Sequence, residues 1–312
     1  MKKIVAFILL TCMALTLVAC TDNKSNSPET TTPQDTTSND TAPEISLQDI
    51  YDACKTEALL KNHESVYISS MTDGEIWCET YITRDYAYEY VPDEKFSYAK
   101  FMTDDACYYN DAGTRLLYLF VTPDGLGNFA SKRAEDYAAV LLGEETLDDI
   151  VESVSKKDGR ITVTGVLGSK TLEFWAEDGV TSGKYEYALD ADTREMISIS
   201  SDYSYNDGSS FNSAAVLTYD TEAPEMLREF LGYVNQTENL RNVTVVSNPG
   251  TEKEESKSLQ APKGLIIGFE YDDDLGYEAE FYTDAACTEA YDPYADTDSD
   301  LTVYVKWNEK NG

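Results

Sequence analysis

His63 is the one histidine in this 312-residue chain. An imidazole works as a general base when an acid orients it and a nucleophile lies within reach, and the residues around His63 supply neither. It falls at the end of an amphipathic segment, where a polar or positive side chain suits the exposed helix carbonyls. No glycine-rich phosphate loop, serine nucleophile elbow or zinc spacing occurs. Asp296, Asp298 and Asp300 imitate the start of a calcium loop, but Leu301 stands where glycine is needed and Trp307 where the bidentate acid is needed. Asp272-Asp273-Asp274 reads as a solvated turn. Carboxylates are so plentiful that no two of them single out a glycosidase pair. Trp77, Trp175, Trp307 and the tyrosines have the faces to stack on sugars, though a core or cross-strand aromatic pair is the commoner role. No catalytic residue, metal or cofactor is expected. The chain reads as a non-enzymatic binding or scaffold protein.

The elements that would position such a surface begin after a distinctive amino terminus. Met1-Lys2-Lys3 is a short basic stretch, and an apolar run from Ile4 to Ala19 follows. The run is too short for a confident spanning helix and fits the apolar region of a secretory signal. It ends in Leu17-Val18-Ala19-Cys20, which resembles the lipobox of bacterial lipoproteins. That resemblance implies cleavage of residues 1–19 and a diacylglyceryl group on the Cys20 sulfur, with a palmitate-type acyl anchor. The protein would then be exported and held on the outer face of the cell membrane. Residues 20–44 hold the lipidated Cys20 and a Thr/Ser/Asn/Asp/Pro tether with little to bury, which cannot offset its ordering entropy.

The chain carries 24 basic and 58 acidic residues, a formal charge of −34, and loss of Lys2 and Lys3 with the signal would move that to −36. Such acidity excludes nucleic acid and anionic headgroups as partners of a basic patch. The Cys20 lipid would have to supply the membrane affinity. Of the six cysteines, Cys12 would leave with the signal and Cys20 would carry lipid. Cys54, Cys78, Cys107 and Cys287 allow three pairings, and their spacing selects none. A Cys78–Cys107 disulfide between neighbouring strands is one of them. Cys54 lies on the apolar stripe of a helix and reads as a buried thiol, and Cys287 as unpaired.

Ser46 to Asn62 reads as one amphipathic helix, capped by Ser46, with Leu47, Ile50, Tyr51, Cys54 and Ala58 on its apolar stripe. The period then changes to two, and a meander of antiparallel strands is expected to Val121. Pro123–Asn128 reads as a loop, Ser131 to Leu142 as a helix, and Leu147–Ser155 as a short helix or a strand. Strands resume at Arg160–Leu167, Thr171–Ala176, Lys184–Leu189, Met196–Tyr205 and Phe211–Tyr219. The 23 tyrosines suit half-buried sheet faces. The fold class expected is α+β, mainly antiparallel β.

A helix, strands, a helical interruption and more strands, together with the Tyr187–Ile197 hairpin and its Asp-rich turn, resemble the lipoprotein-carrier half-barrel of the LolA/LolB-like families. The resemblance implies a domain at 45–222 in which a curved sheet with the amino-terminal helix across it encloses a cavity for acyl chains. The residues themselves are equally consistent with a filled core. Residues 223–240 read as a helical bridge. From Gly276 onward, Phe281-Tyr282-Thr283-Asp284, Cys287-Thr288 and Leu301–Trp307 resemble the Listeria–Bacteroides surface repeat. That likeness implies a small β-grasp-like domain at 241–312 with no catalytic residues. Two functions follow as expectations: a lipid-anchored protein that binds an apolar, lipid-like ligand or acts as a scaffold, and an adhesion or carbohydrate-binding surface lipoprotein.

Overall fold

The computed structural model describes residues 45–91, 98–111, 114–129, 141–234, 239–272 and 276–310. The signal segment, Cys20, the tether and the helix expected at Ser131–Leu142 lie outside these residues, apart from Leu141 and Leu142. The described chain is mainly antiparallel β with few helices, built on a large, curved and unclosed sheet.

Ser46 caps α1 (Leu47–Ala53) in a reciprocal capping box with Asp49. The helix expected to run on to Asn62 stops at Cys54, and a short α2 (Thr56–Leu59) follows. The break has a packing reason. A continuous helix that buries Ile50 and Cys54 would next turn Glu57, Ala58 and Lys61 inward. Interrupting it at Lys55, which is extended, re-phases the chain so that Leu59 and Leu60 are buried instead.

Six strands follow as a meander: β1 (Ser65–Thr72), β2 (Glu75–Thr83), β3 (Tyr86–Val91), β4 (Tyr98–Thr103), β5 (Cys107–Asp111) and β6 (Thr114–Thr122). The expected loop after β6 contains a two-residue strand, β7 (Gly125–Leu126), paired back onto it. A second meander comprises β8 (Ile150–Lys157), β9 (Arg160–Val166), β10 (Val180–Asp190), β11 (Met196–Tyr205) and β12 (Ser210–Tyr219). The first and last of these five strands lie at opposite ends of the meander, and β12 pairs with β1, so the two meanders form one sheet.

After α4 (Glu225–Val234) come β13 (Leu240–Ser247), β14 (Glu255–Pro262), β15 (Ile266–Glu270), β16 (Tyr277–Tyr282) and β17 (Leu301–Glu309). Four of these form a second sheet in the order β14-β13-β17-β16, with β13 and β17 parallel. The fifth, β15, pairs parallel to β6 and extends the large sheet. Residues 241–312, expected as a small domain of their own, thus contribute to both sheets.

Strand register shows why this arrangement holds. One cross-strand row runs Thr218, Tyr67, Tyr81, Tyr88, Phe101, Tyr108, Leu117, Ile267. The row beside it runs Tyr219, Val66, Ile82, Ala87, Met102, Cys107, Tyr118, Gly268 and faces the opposite side. Both rows are largely apolar, so this half of the sheet is buried on both faces. Val66, Ile82, Ala87, Met102 and Cys107 pack in one cluster with Ile50, Cys54 and Leu59 of the amino-terminal helices. Tyr81, Tyr88, Phe101, Tyr108 and Leu117 pack in another with Leu227 of α4 and Val243, Val245 and Val305 of the smaller sheet. The run Leu116–Val121 in β6 is continuously apolar for this reason: alternate residues serve alternate cores.

Two expectations are corrected. Thr171–Ala176 is not a strand; α3 (Ser169–Phe174) and a turn of 3₁₀-helix at Ala176–Asp178 occupy it. Its cap comes from a distant part of the chain. The Asp148 carboxylate accepts from Ser169 Oγ at 2.9 Å and from the Lys170 N–H at 3.1 Å. Asp149 Oδ1 accepts from the Gly168 N–H at 2.7 Å and Thr171 Oγ1 at 2.8 Å. The Cys78–Cys107 disulfide is not formed. Cys78 is on β2 and Cys107 on β5, with β3 and β4 between them. Three strand spacings of ~4.8 Å far exceed the ~7 Å Cα limit for a bridge.

Asp149 is buried, and loss of its carboxylate would strand the Gly168 N–H and leave the Thr171 hydroxyl only the Glu145 carbonyl. Asp149→Ala should cost about 1–3 kcal/mol in chemical denaturation of the full chain. Asp149→Asn, which keeps an oxygen acceptor, should cost clearly less.

Candidate functional site

The YAYEY run of β3 places Tyr86, Tyr88 and Tyr90 on one face of the sheet, by the period-two rule. This is the outer face, shared with Tyr81 and Tyr67. Glu79 of β2 stands directly across from Tyr90. Beyond β12 the chain turns over the same face, and Thr221, Glu222, Pro224 and Glu225 lead into α4. These segments line an open pocket of about 480 Å³. Tyr67, Glu79, Tyr88 and Tyr90 line it from the sheet, with Thr218, Thr221, Glu222, Pro224 and Glu225 on the other side.

Three details define its chemistry. The Tyr67 hydroxyl donates to a Glu79 carboxylate oxygen. Desolvation, and then this bond, push the Tyr67 pKa above its ordinary value, so the phenol keeps its proton. Tyr88 is only 1% exposed, yet its hydroxyl has no hydrogen-bond partner. Burial raises its pKa as well. The lining carries three carboxylates and no basic side chain. Glu222 is paired with Arg228 at 3.3 Å, on the exposed side. Among the described residues no ion pair engages Glu79 or Glu225. The Tyr81 hydroxyl donates to the Thr221 carbonyl at 3.1 Å and fixes the turn that forms the far wall.

The residues singled out from sequence lie elsewhere. His63 Nδ1 is 2.7 Å from Asp220 Oδ2, and Nε2 is 3.0 Å from Glu195 Oε1 but poorly aligned for a hydrogen bond. Its ring rests against Tyr219, with centroids 4.4 Å apart. It therefore ties the start of β1 to the β10–β11 turn and the end of β12, and no nucleophile adjoins it. The helix carbonyl of Leu60 is taken by Arg84 instead, at 3.3 Å. Cys54 is buried, which pushes its thiol pKa up to about 12. Cys287 is a free, half-buried thiol in the turn after β16.

Asp296, Asp298 and Asp300 belong to the loop before β17, and two of the three are engaged by the protein itself. Asp296 Oδ1 accepts from the N–H groups of Asp298 and Ser299, which hold its pKa down to about 2. Asp300 accepts from the Asn242 N–H and side chain. Arg241, 3% exposed, donates to the carbonyls of Asp296, Ser299 and Leu265 and anchors the same loop. Trp307 donates to Ser247 Oγ at 3.0 Å and packs edge-on against Tyr271. No group of three or more metal-ligating side chains occurs among the described residues.

No protein-family model matches the chain. No curated protein matches it either. Among solved structures, the Mycobacterium tuberculosis lipoprotein LppX aligns over 57% of this chain and 94% of its own, at 11% identity and a TM-score of 0.28. MucB, solved in complex with MucA, aligns over 57% of this chain and 57% of its own, at 13% identity and a TM-score of 0.22.

Sequence reading did not find the pocket, because its two sides lie about 150 residues apart in the chain, a separation read directly from Tyr67 and Thr218. The one local signal is the alternate tyrosines of YAYEY beside an acidic strand position.

The His63 cluster makes a pH-dependent prediction. The hydrogen bond to Asp220 raises the His63 pKa against a smaller opposing effect of burial. The same bond, followed by the Glu64 N–H, lowers that of Asp220. The His63 contribution is then complete below the unfolded value of about 6.5 and is lost as pH rises through the raised folded value. The Asp220 contribution is present above about 3.9 and is lost as pH falls through its depressed value. His63→Gln should therefore lower Tm more at about pH 5.5 than at about pH 8.5, measured by thermal unfolding at the two values. An equal loss at both would leave the ring packing, not the charge, as the stabilising element.

Proposed function

We propose that this protein is an exported, lipid-anchored, non-enzymatic binding module that presents its ligand site on the outer face of its curved sheet. The observation that carries the reading is the contrast between the two faces. Under α1 one face of the sheet is packed with Ile50, Cys54, Leu59, Val66, Ile68 and Ile82, all buried at 2% exposure or less. An acyl-carrier would need open apolar volume there. The outer face instead holds the Tyr/Glu pocket, whose volume falls within the roughly 300–1,000 Å³ of small-molecule sites. The pocket pairs aromatic walls with a few polar groups, the composition that fixes a ligand's position without chemistry on it.

The Leu17–Cys20 sequence supports the anchor, and a folded body carrying −36 has no affinity of its own for an anionic bilayer. Cys20→Ser should move the protein from the membrane fraction to the soluble one. Retention on membranes after detergent-free washing would refute the anchor. Native mass spectrometry of the protein extracted from membranes should show no bound acyl species beyond the anchor itself. A retained fatty-acyl or phospholipid mass that survives removal of the anchor would restore the carrier reading and overturn this one.

A further inference from the structure

We infer that the outer-face pocket takes a small aliphatic ammonium, held by the Glu79 carboxylate and the Tyr88 and Tyr67 hydroxyl oxygens and walled by the tyrosine rings. The inference rests on the placement of the binding site proposed above and adds the class of its ligand.

Three independent features converge on that class. The first is charge. The lining includes Glu79, Glu222 and Glu225 with no basic residue, and among the described residues only Glu222 forms an ion pair. Glu79 is half-buried with no ion-pair partner among the described residues, and a cation entering the pocket would supply one. The second is the orphaned hydroxyl. Tyr88 lines the pocket and is 1% exposed, and its oxygen has neither donor nor acceptor partner in the protein. Leaving a buried hydroxyl unpaired is costly, so such groups signal a missing partner. The third is aromatic surface. Tyr67, Tyr88 and Tyr90 present rings whose negative faces attract a cation.

The hydrogen-bond inventory distinguishes among cations. Tyr67 spends its proton on Glu79, which leaves its oxygen as an acceptor. Glu79 is an acceptor throughout. Tyr88 offers an unused oxygen. These three groups offer acceptors beside the Tyr90, Thr218 and Thr221 hydroxyls and the Glu222 and Glu225 carboxylates, a set that suits a ligand rich in N–H donors. A primary ammonium brings three such donors on a compact charge. A quaternary ammonium satisfies the rings and leaves the hydroxyl unpaired. A guanidinium is planar and forked, which suits paired carboxylate oxygens rather than three separated acceptors. An aliphatic tail would lie along the apolar rims of Tyr90 and Pro224.

The test is calorimetric titration of the full mature chain at about 150 mM salt, which screens loose cation binding to so acidic a surface. The probes are butylammonium, tetramethylammonium, butanol and a methyl hexoside. Butylammonium should bind saturably at one site, tetramethylammonium more weakly, and butanol not at all. Glu79→Gln and Tyr88→Phe should each weaken butylammonium about tenfold or more, the scale of a charge-assisted hydrogen bond. Tyr88→Phe removes only an unpartnered hydroxyl, so a folding defect is not expected to cloud its result. Absence of saturable butylammonium binding, or binding indifferent to both substitutions, overturns the inference. Equal affinity for tetramethylammonium overturns it too, because N–H donation would then play no part. If the hexoside binds in a Tyr88-dependent way and butylammonium does not, the ammonium assignment falls while the pocket reading stands. If no probe binds, both fall.

Discussion

Burial of one half-sheet on both faces is the constraint on which the rest of this molecule depends. Strands β2 to β6 carry apolar side chains up and down alternately, and neither set can be left in water. The amino-terminal helices cover one side through Ile50, Cys54 and Leu59. The other side is covered by α4 and the smaller sheet through Leu227, Val243, Val245 and Val305. The carboxyl-terminal segment is therefore structural as well as an appendage. Its β15 completes an edge of the large sheet, and its β13 and β17 close the outer core. Tyr88, in the middle of the sheet, is buried because of this covering, and its orphaned hydroxyl is a consequence of the same arrangement.

The second meander is held differently. Its end strand β8 is almost wholly exposed, with Ile150 and Val151 open to solvent and Lys156 and Lys157 at its far end. Charged residues on an edge strand discourage pairing with another chain. The buried faces of β9 and β10 turn to the core under α1 through Ile161, Val163, Tyr187 and Leu189. Tyr185 and Tyr187, two residues apart on β10, stack at 4.6 Å, and Tyr185 adjoins Gly165, where a methyl group would meet the Ile150 carbonyl oxygen at 2.0 Å. Gly165 is thus required for close strand approach and not for a turn.

Much of this was legible in the residues. Ser46 announced the first helix through its capping box, and the Asp-Gly turns marked the hairpins at Thr72–Gly74 and Lys157–Gly159, where Asp73 and Asp158 take positive φ. Period-two alternation located most strands to within two or three residues. The misses share a cause. The cap of α3 is supplied by Asp148 and Asp149, about twenty residues upstream, so no local signal marks a helix at Ser169. The break at Lys55 is set by which leucines the core accepts, a tertiary demand. The pairing of β15 with β6 joins residues some 150 positions apart, a separation evident from Ile267 and Leu117. Cys78 and Cys107 looked like neighbours because they lie on nearby strands in sequence, but in a meander each intervening strand adds its full width.

The place of the proposed ligand site follows from the packing. Among the described residues, the face under α1 is packed by Ile50, Cys54, Leu59 and the strand residues Val66, Ile68 and Ile82. On the outer face the turn after β12 carries the chain through Thr221–Pro224 into α4, whose Leu227 joins the outer core. The pocket lies between this turn and the sheet, with Tyr67, Tyr88 and Tyr90 on its sheet side. A binding site of this kind needs no catalytic residues. It needs a sheet stiff enough to hold Glu79 and Tyr88 in register, which two-sided burial supplies.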